Sequence, residues 1–338
     1  MFQAGTYTLK FSTIFGVDFS GAKEAGRNIW LARCEPVSVA RNGRATRSKH
    51  PSLRLTDLTC LESLCGIADR APVLSHLVDL IKSSRRCLWS MDFPFGFPIE
   101  VFSPGTRWRA QIDFLREWGD DAYGVGLECL RRAKRLGGPM HIRRQTDDEM
   151  KAPFDCYHYR IIYQAFYGMR DVLRPLSRSR GTAILPFQYR RLRRADRVLV
   201  ETCPSSTLKR LSLPHQNYKQ PAGGPLTPKR RRTRRAILEG LAQYVTIEAP
   251  HHRCIMRNGG GDALDAVIAA VGSHLTWQTV EHRSIARHAR YPLAATSAGF
   301  PGSAQRCRWR CLESSGSGSA THGEECRTPS PGSTGWQP

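Results

Sequence analysis

The sequence predicts an α/β protein: a mixed, five-stranded sheet flanked by helices, with a helical insertion. Two observations carry this. Three short apolar runs rich in β-branched and aromatic residues open the chain in series, and later runs of the same kind alternate with stretches of helical period. Between them, 100–185 is dominated by helical spacing.

The first strand is STIFGVDF at 12–19, apolar and ending on an acid, with Gly21 marking a turn. NIWLARC at 28–34 is the second. SLRLT near 52–56, after the basic loop RNGRATRSKH, is the third. Three strands in succession predict an antiparallel meander. Leu74, Leu77, Val78 and Ile81 share one face of a helix over 72–82. RCLWSMD at 86–92 is the fourth strand, stopped by Pro94, Gly96 and Pro98.

Within the insertion, Ile161, Ile162, Ala165, Phe166, Met169 and Leu173 line one side of a helix from about Tyr157 to Leu173. RVLVET at 197–202 is the fifth strand. Ile237, Leu238, Leu241 and Tyr244 align on a helix over 230–244. Leu264, Val267, Ile268, Val271 and Leu275 form the stripe of a last helix within 259–275. From about Tyr291 the composition turns to Gly, Ser, Pro, Thr and Cys without period. This predicts a folded region over 12–285, a short extension at 1–11 and a disordered tail at 291–338.

Among the 338 residues, 51 Lys and Arg face 29 Asp and Glu, a net charge of +22. Such a field attracts polyanions, nucleic acid first and acidic membrane second. The 11 cysteines form no CxxC and no Cys/His cluster of zinc spacing. Cys34, Cys87, Cys203 and Cys254 sit among apolar residues and read as buried thiols, which fits a reducing cytoplasm. The first residues do not form a secretory signal, and no apolar run is long enough to span a membrane.

The chemistry lies in the acids. Asp18, Asp92 and Glu201 each end an apolar strand, where α/β sheets open onto a ligand crevice. Asp262 and Asp265 begin the last helix, three residues apart. Asp265 lies about 60° from Ile268 at about 100° per residue, which turns it toward the sheet. Each acid also has a plainer reading. Asp18 and Asp92 precede turns, Glu201 has many arginines to pair with, and Asp262 suits a helix N-cap. Carboxylates gathered in one site repel one another and stay ionised only around a cation. Hard oxygen donors select Mg²⁺ or Mn²⁺. Two such ions about 3.5–4 Å apart activate water and stabilise the leaving oxygen of a phosphodiester.

GVDFSGAK at 16–23, SMDFPFGFP at 90–98, VETCPSSTLKRL at 200–211 and GGGDALDAVIAAV at 259–271 resemble, in that order, the domain of unknown function 429 family. That family is grouped with predicted ribonuclease H-like nucleases, and the resemblance spans about 10–280. It implies a ribonuclease H-like domain related to junction resolvases, with metal ligands at Asp18, Asp92 and Asp265. Asp262 stands beside them and Glu201 on the intervening strand.

Two basic stretches flank the Glu201 strand, YRRLRRADR at 189–197 and PKRRRTRRA at 228–236. Arg230, Arg231, Arg232, Arg234 and Arg235, with Tyr189, Tyr218 and Lys219, are candidates for phosphate contact or base stacking. The plain alternative is a solvated face. His141, Arg144, Asp147, His158 and Arg160 could also reach a substrate. Cys203 lacks a neighbouring His and reads poorly as a nucleophile. The expected activity is metal-dependent hydrolysis of nucleic acid. The alternatives are a non-catalytic nucleic-acid binder and, lower, a nucleotide phosphotransferase or hydrolase. The latter wants two duplicated halves with phosphate loops, and only GGG at 259–261 offers one.

Overall fold

The computed structural model describes residues 9–37, 51–103, 106–221 and 223–279, all within one compact unit. The basic loop at 41–50 and the tail at 291–338 lie outside the described residues.

Among the described residues seven strands form one sheet: β1 (Thr13–Asp18), β2 (Trp30–Pro36), β3 (Leu53–Cys60), β4 (Cys87–Asp92), β5 (Thr182–Ile184), β6 (Arg197–Glu201) and β7 (Val245–Thr246), in the order β5-β6-β4-β1-β2-β3-β7. The meander β1–β2–β3 is antiparallel, and β4, β6 and β5 continue parallel to β1. Five strands were expected. The two extra ones, β5 and β7, are edge strands of three and two residues, too short to show a period.

The helices in chain order are α1 (Ala25–Asn28), α2 (Leu61–Cys65), α3 (Arg70–Ser83), α4 (Trp108–Glu117), α5 (Ala122–Arg135), α6 (Gln145–Glu149), α7 (Ile162–Tyr167), α8 (Arg174–Ser177), α9 (Pro204–Arg210), α10 (Pro228–Leu241), α11 (Ala249–Arg257) and α12 (Asp262–Thr279). A π-helical turn, Gly168–Leu173, joins α7 to α8. The insertion helix therefore starts at Ile162 rather than Tyr157, because Asp155 and the residues after it form turns.

The sheet separates two cores. Val17, Trp89, Met91 and Leu199 face α3 and the insertion, where Phe15 stacks on Trp89 at 4.0 Å. Ile14, Leu88 and Val198 face α10, α11 and α12 on the other side. Among the described residues no helix is long and apolar enough to cross a membrane. The described cysteines are free; Cys34 and Cys87 are buried, whereas Cys203 and Cys254 are only partly so, a correction to their reading as buried thiols.

α12 lies directly on β1. A Cβ built at Gly16 would stand 1.9 Å from the Ala266 carbonyl oxygen and 2.6 Å from the Ala270 nitrogen. Both obstacles are backbone and cannot rotate away. Gly16→Ala should therefore push α12 off the sheet and cost at least about 1–3 kcal/mol. Urea denaturation checks this, and an unchanged midpoint would contradict the contact.

Candidate metal centre

Strand register brings the acids together. β1 and β4 run parallel with Asp18 opposite Asp92. Residues level on neighbouring strands point to the same face, and Asp18 shares the parity of Gly16, which touches α12. Both carboxylates thus emerge at one sheet end on the α12 side. Asp265, in the first turn of α12, meets them there. One oxygen from each of Asp18, Asp92 and Asp265 falls within 4.8 Å of the others.

The register of β6 corrects the expectation for Glu201. It stands opposite Met91, not Asp92, so it points to the other face of the sheet, toward the insertion. There Arg144 grips both of its oxygens, at 2.9 and 2.5 Å, and the Phe95 N–H donates to it at 2.9 Å. Arg144 also donates to Asp147 at 2.6 Å and to the Gly96 carbonyl at 3.2 Å. Burial opposes its charge, but Glu201 and Asp147 hold the guanidinium protonated. Arg144, Asp147 and Glu201 tie the insertion to the sheet.

Asp262 opens α12 beside Asp265. The first turn is capped from elsewhere: Asn258 Oδ1 accepts from the N–H groups of Gly261 at 2.8 Å and Ala263 at 3.3 Å.

Lys219 reaches the acidic cluster while its side chain stays 42% exposed. Its Nζ pairs with Asp265 Oδ2, and its stem packs against Gly261, which adopts φ 91°. Tyr218, buried rather than presented for stacking, donates its hydroxyl to Asp265 Oδ1 at 2.8 Å. Asp265 thus has both oxygens fixed and a side chain only 3% exposed.

Arg234 also departs from its expected role. It is fully buried, and its guanidinium donates to the carbonyls of Tyr218, Ile255, Asn258 and Gly259 at 2.6 to 3.2 Å. It fastens the Tyr218–Lys219 segment to the turn that opens α12, so it is a positioning residue. Its place three and four residues before Ile237 and Leu238 puts it on the apolar face of α10, a signal visible in the sequence. Arg231, Arg232 and Arg235 are exposed, and Arg230 is half-buried, donating to Gln220 at 2.8 Å. None of these four joins the acidic cluster. His141 pairs with buried Asp155 at 2.8 Å, His158 lies among the rings of Phe154 and Tyr159, and Arg160 bonds Tyr159.

The electrostatics follow from the burial. Burial is the largest influence on Asp18 and raises its pKa well above the carboxylate range, against the pull of Lys219 and with the push of Asp265, Asp92 and Asp262. Burial, then Asp265, push Asp92 up to about 8, opposed by Lys219. Burial raises Asp262 too. Partial burial opposes the charge of Lys219, and Asp265 and Asp18 hold it protonated. Burial raises the Cys203 thiol, so it is a poor thiolate nucleophile. One ammonium among these acids leaves room for a divalent cation, and the donors are hard oxygens throughout.

Comparison with protein families, curated proteins and solved structures finds no match for this chain.

Two outcomes test this geometry. Asp92 is an acid whose folded pKa lies above its unfolded value, so the folded chain holds a proton that the unfolded chain releases between about pH 4 and pH 8. Its contribution to stability is present at low pH and lost as pH rises through that window. In EDTA, Asp92→Asn should be more stable than wild type at pH 8, by about 1–3 kcal/mol, and the gain should shrink at pH 5. A variant less stable at both pH values would contradict the assignment. Second, Glu201→Gln should weaken folding by about 1–3 kcal/mol while leaving Mn²⁺ affinity unchanged, whereas Asp265→Asn should abolish Mn²⁺ binding. Equal losses of affinity would return Glu201 to the cluster.

Proposed function

We propose that this protein is a metal-dependent nuclease of ribonuclease H-like fold, hydrolysing phosphodiester bonds in nucleic acid. The observation that carries the reading is the convergence of Asp18, Asp92 and Asp265, from two parallel strand ends and one helix start, within 4.8 Å. Burial and mutual repulsion hold Asp18 and Asp92 toward neutrality, and a divalent cation is the partner that lets both ionise. One or two Mg²⁺ or Mn²⁺ ions at such a site lower the pKa of water and stabilise charge on the leaving oxygen.

The chain's own groups have separate duties. Asp18, Asp92 and Asp265 hold the ion, with Asp262 at the margin. Tyr218 and Lys219 fix the orientation of Asp265. Arg234 keeps their segment against the turn before α12. The exposed Arg231, Arg232 and Arg235, with Arg230, hold the substrate's phosphates without reading its sequence. The domain of unknown function 429 resemblance implies metal ligands at the same three acids. Free thiols suit a reducing cytoplasm.

One observation favours a second reading, a binding protein that does not cleave. Lys219 already supplies a positive charge to Asp265. Labelled single-stranded, duplex, hybrid and branched substrates, with Mg²⁺ or Mn²⁺, separate the two. Metal-dependent cleavage by the wild type, lowered at least about 100-fold in Asp18→Asn, is the expected result. Tight binding without cleavage by either protein would favour the second reading.

A further inference from the structure

A cavity of about 440 Å³ is lined by Trp30, Pro250, Arg253, Cys254, Arg257 and Asn258. Its place is fixed twice. Trp30 is the register partner of Asp18 across β1 and β2, so its indole leaves the sheet on the same face and at the same end as that acid. Asn258, which follows α11 and also lines the cavity, is the residue that caps the Asp262–Asp265 turn.

The wall from α11 is one helical face. Pro250, Arg253, Cys254 and Arg257 follow the spacing i, i+3, i+4, i+7. Two guanidiniums therefore stand about one turn, ~5–6 Å, apart, and neither forms an ion pair among the described residues. The floor is apolar, made by an indole, a proline and a thiol.

We infer that this cavity holds one unstacked nucleotide of a single-stranded polynucleotide, next to the bond presented to the carboxylates. The base lies against the face of Trp30, and the flanking phosphates meet Arg253 and Arg257. A base inside a continuous duplex stack cannot enter, so the substrate is single-stranded or locally opened there. This deepens the nuclease reading and rests on it for the bond that is cut. The binding itself needs no cleavage.

The test measures binding of the full chain to labelled dT15 and rU15 in EDTA, beside cleavage in Mn²⁺. Arg253→Glu/Arg257→Glu should weaken binding at least about tenfold and lower the salt slope. Lys10→Glu/Arg85→Glu, with the same charge change at the opposite end of the sheet, should leave binding nearly intact. Trp30→Phe keeps the ring and should remove the fluorescence quench that the oligonucleotide produces. Equal losses in both charge-reversed proteins, an unchanged quench in Trp30→Phe, or no binding of either oligonucleotide by the wild type would overturn the proposal. Binding that follows the pocket without any cleavage keeps the pocket and removes the nuclease. Cleavage untouched by the pocket variants does the reverse.

Discussion

The candidate centre depends on the closeness of α12 to β1. Gly16 lets the backbone of Ala266 sit against the strand, and that contact sets where Asp265 stands relative to Asp18 and Asp92. The parallel register of β1 and β4 supplies the other half, since it places two acids side by side at one sheet end. Each device is backbone geometry. The carboxylates are held by elements whose apolar faces are buried on both sides of the sheet, so their approach is enforced despite their repulsion.

That enforcement has an electrostatic cost, and the surrounding residues answer part of it. Lys219 gives one positive charge, Tyr218 one hydroxyl, and Arg234 holds the segment that carries both. Asp18 and Asp92 are left with raised pKa values, the state expected of a site completed by a cation. The second ionic group, Arg144 with buried Asp147 and exposed Glu201, is of another kind. Its charges pair with one another, which suits a fastening between insertion and sheet rather than a ligand site.

The long strands and the apolar helices were legible in the sequence, because period and turn residues report them directly. So was the cluster of Asp18, Asp92 and Asp265, as acids at places where burial alone would reject them. The strands of two and three residues were not, since they carry no period. Glu201 shows a sharper boundary. Its position at a strand end was correct, but which face it takes depends on whether it pairs with Met91 or Asp92, and one residue of register reverses the answer. Arg234 was grouped with its basic neighbours by composition, although its spacing from Ile237 and Leu238 already placed it inward. Lys219 and Tyr218 lie in a loop, and only tertiary structure carries them to Asp265.

The most direct measurement is the anomalous difference density of crystals soaked in Mn²⁺. The account predicts a peak within coordinating distance of Asp18, Asp92 and Asp265 together. Ordered carboxylates without a peak, or manganese bound only elsewhere on the protein, would contradict it.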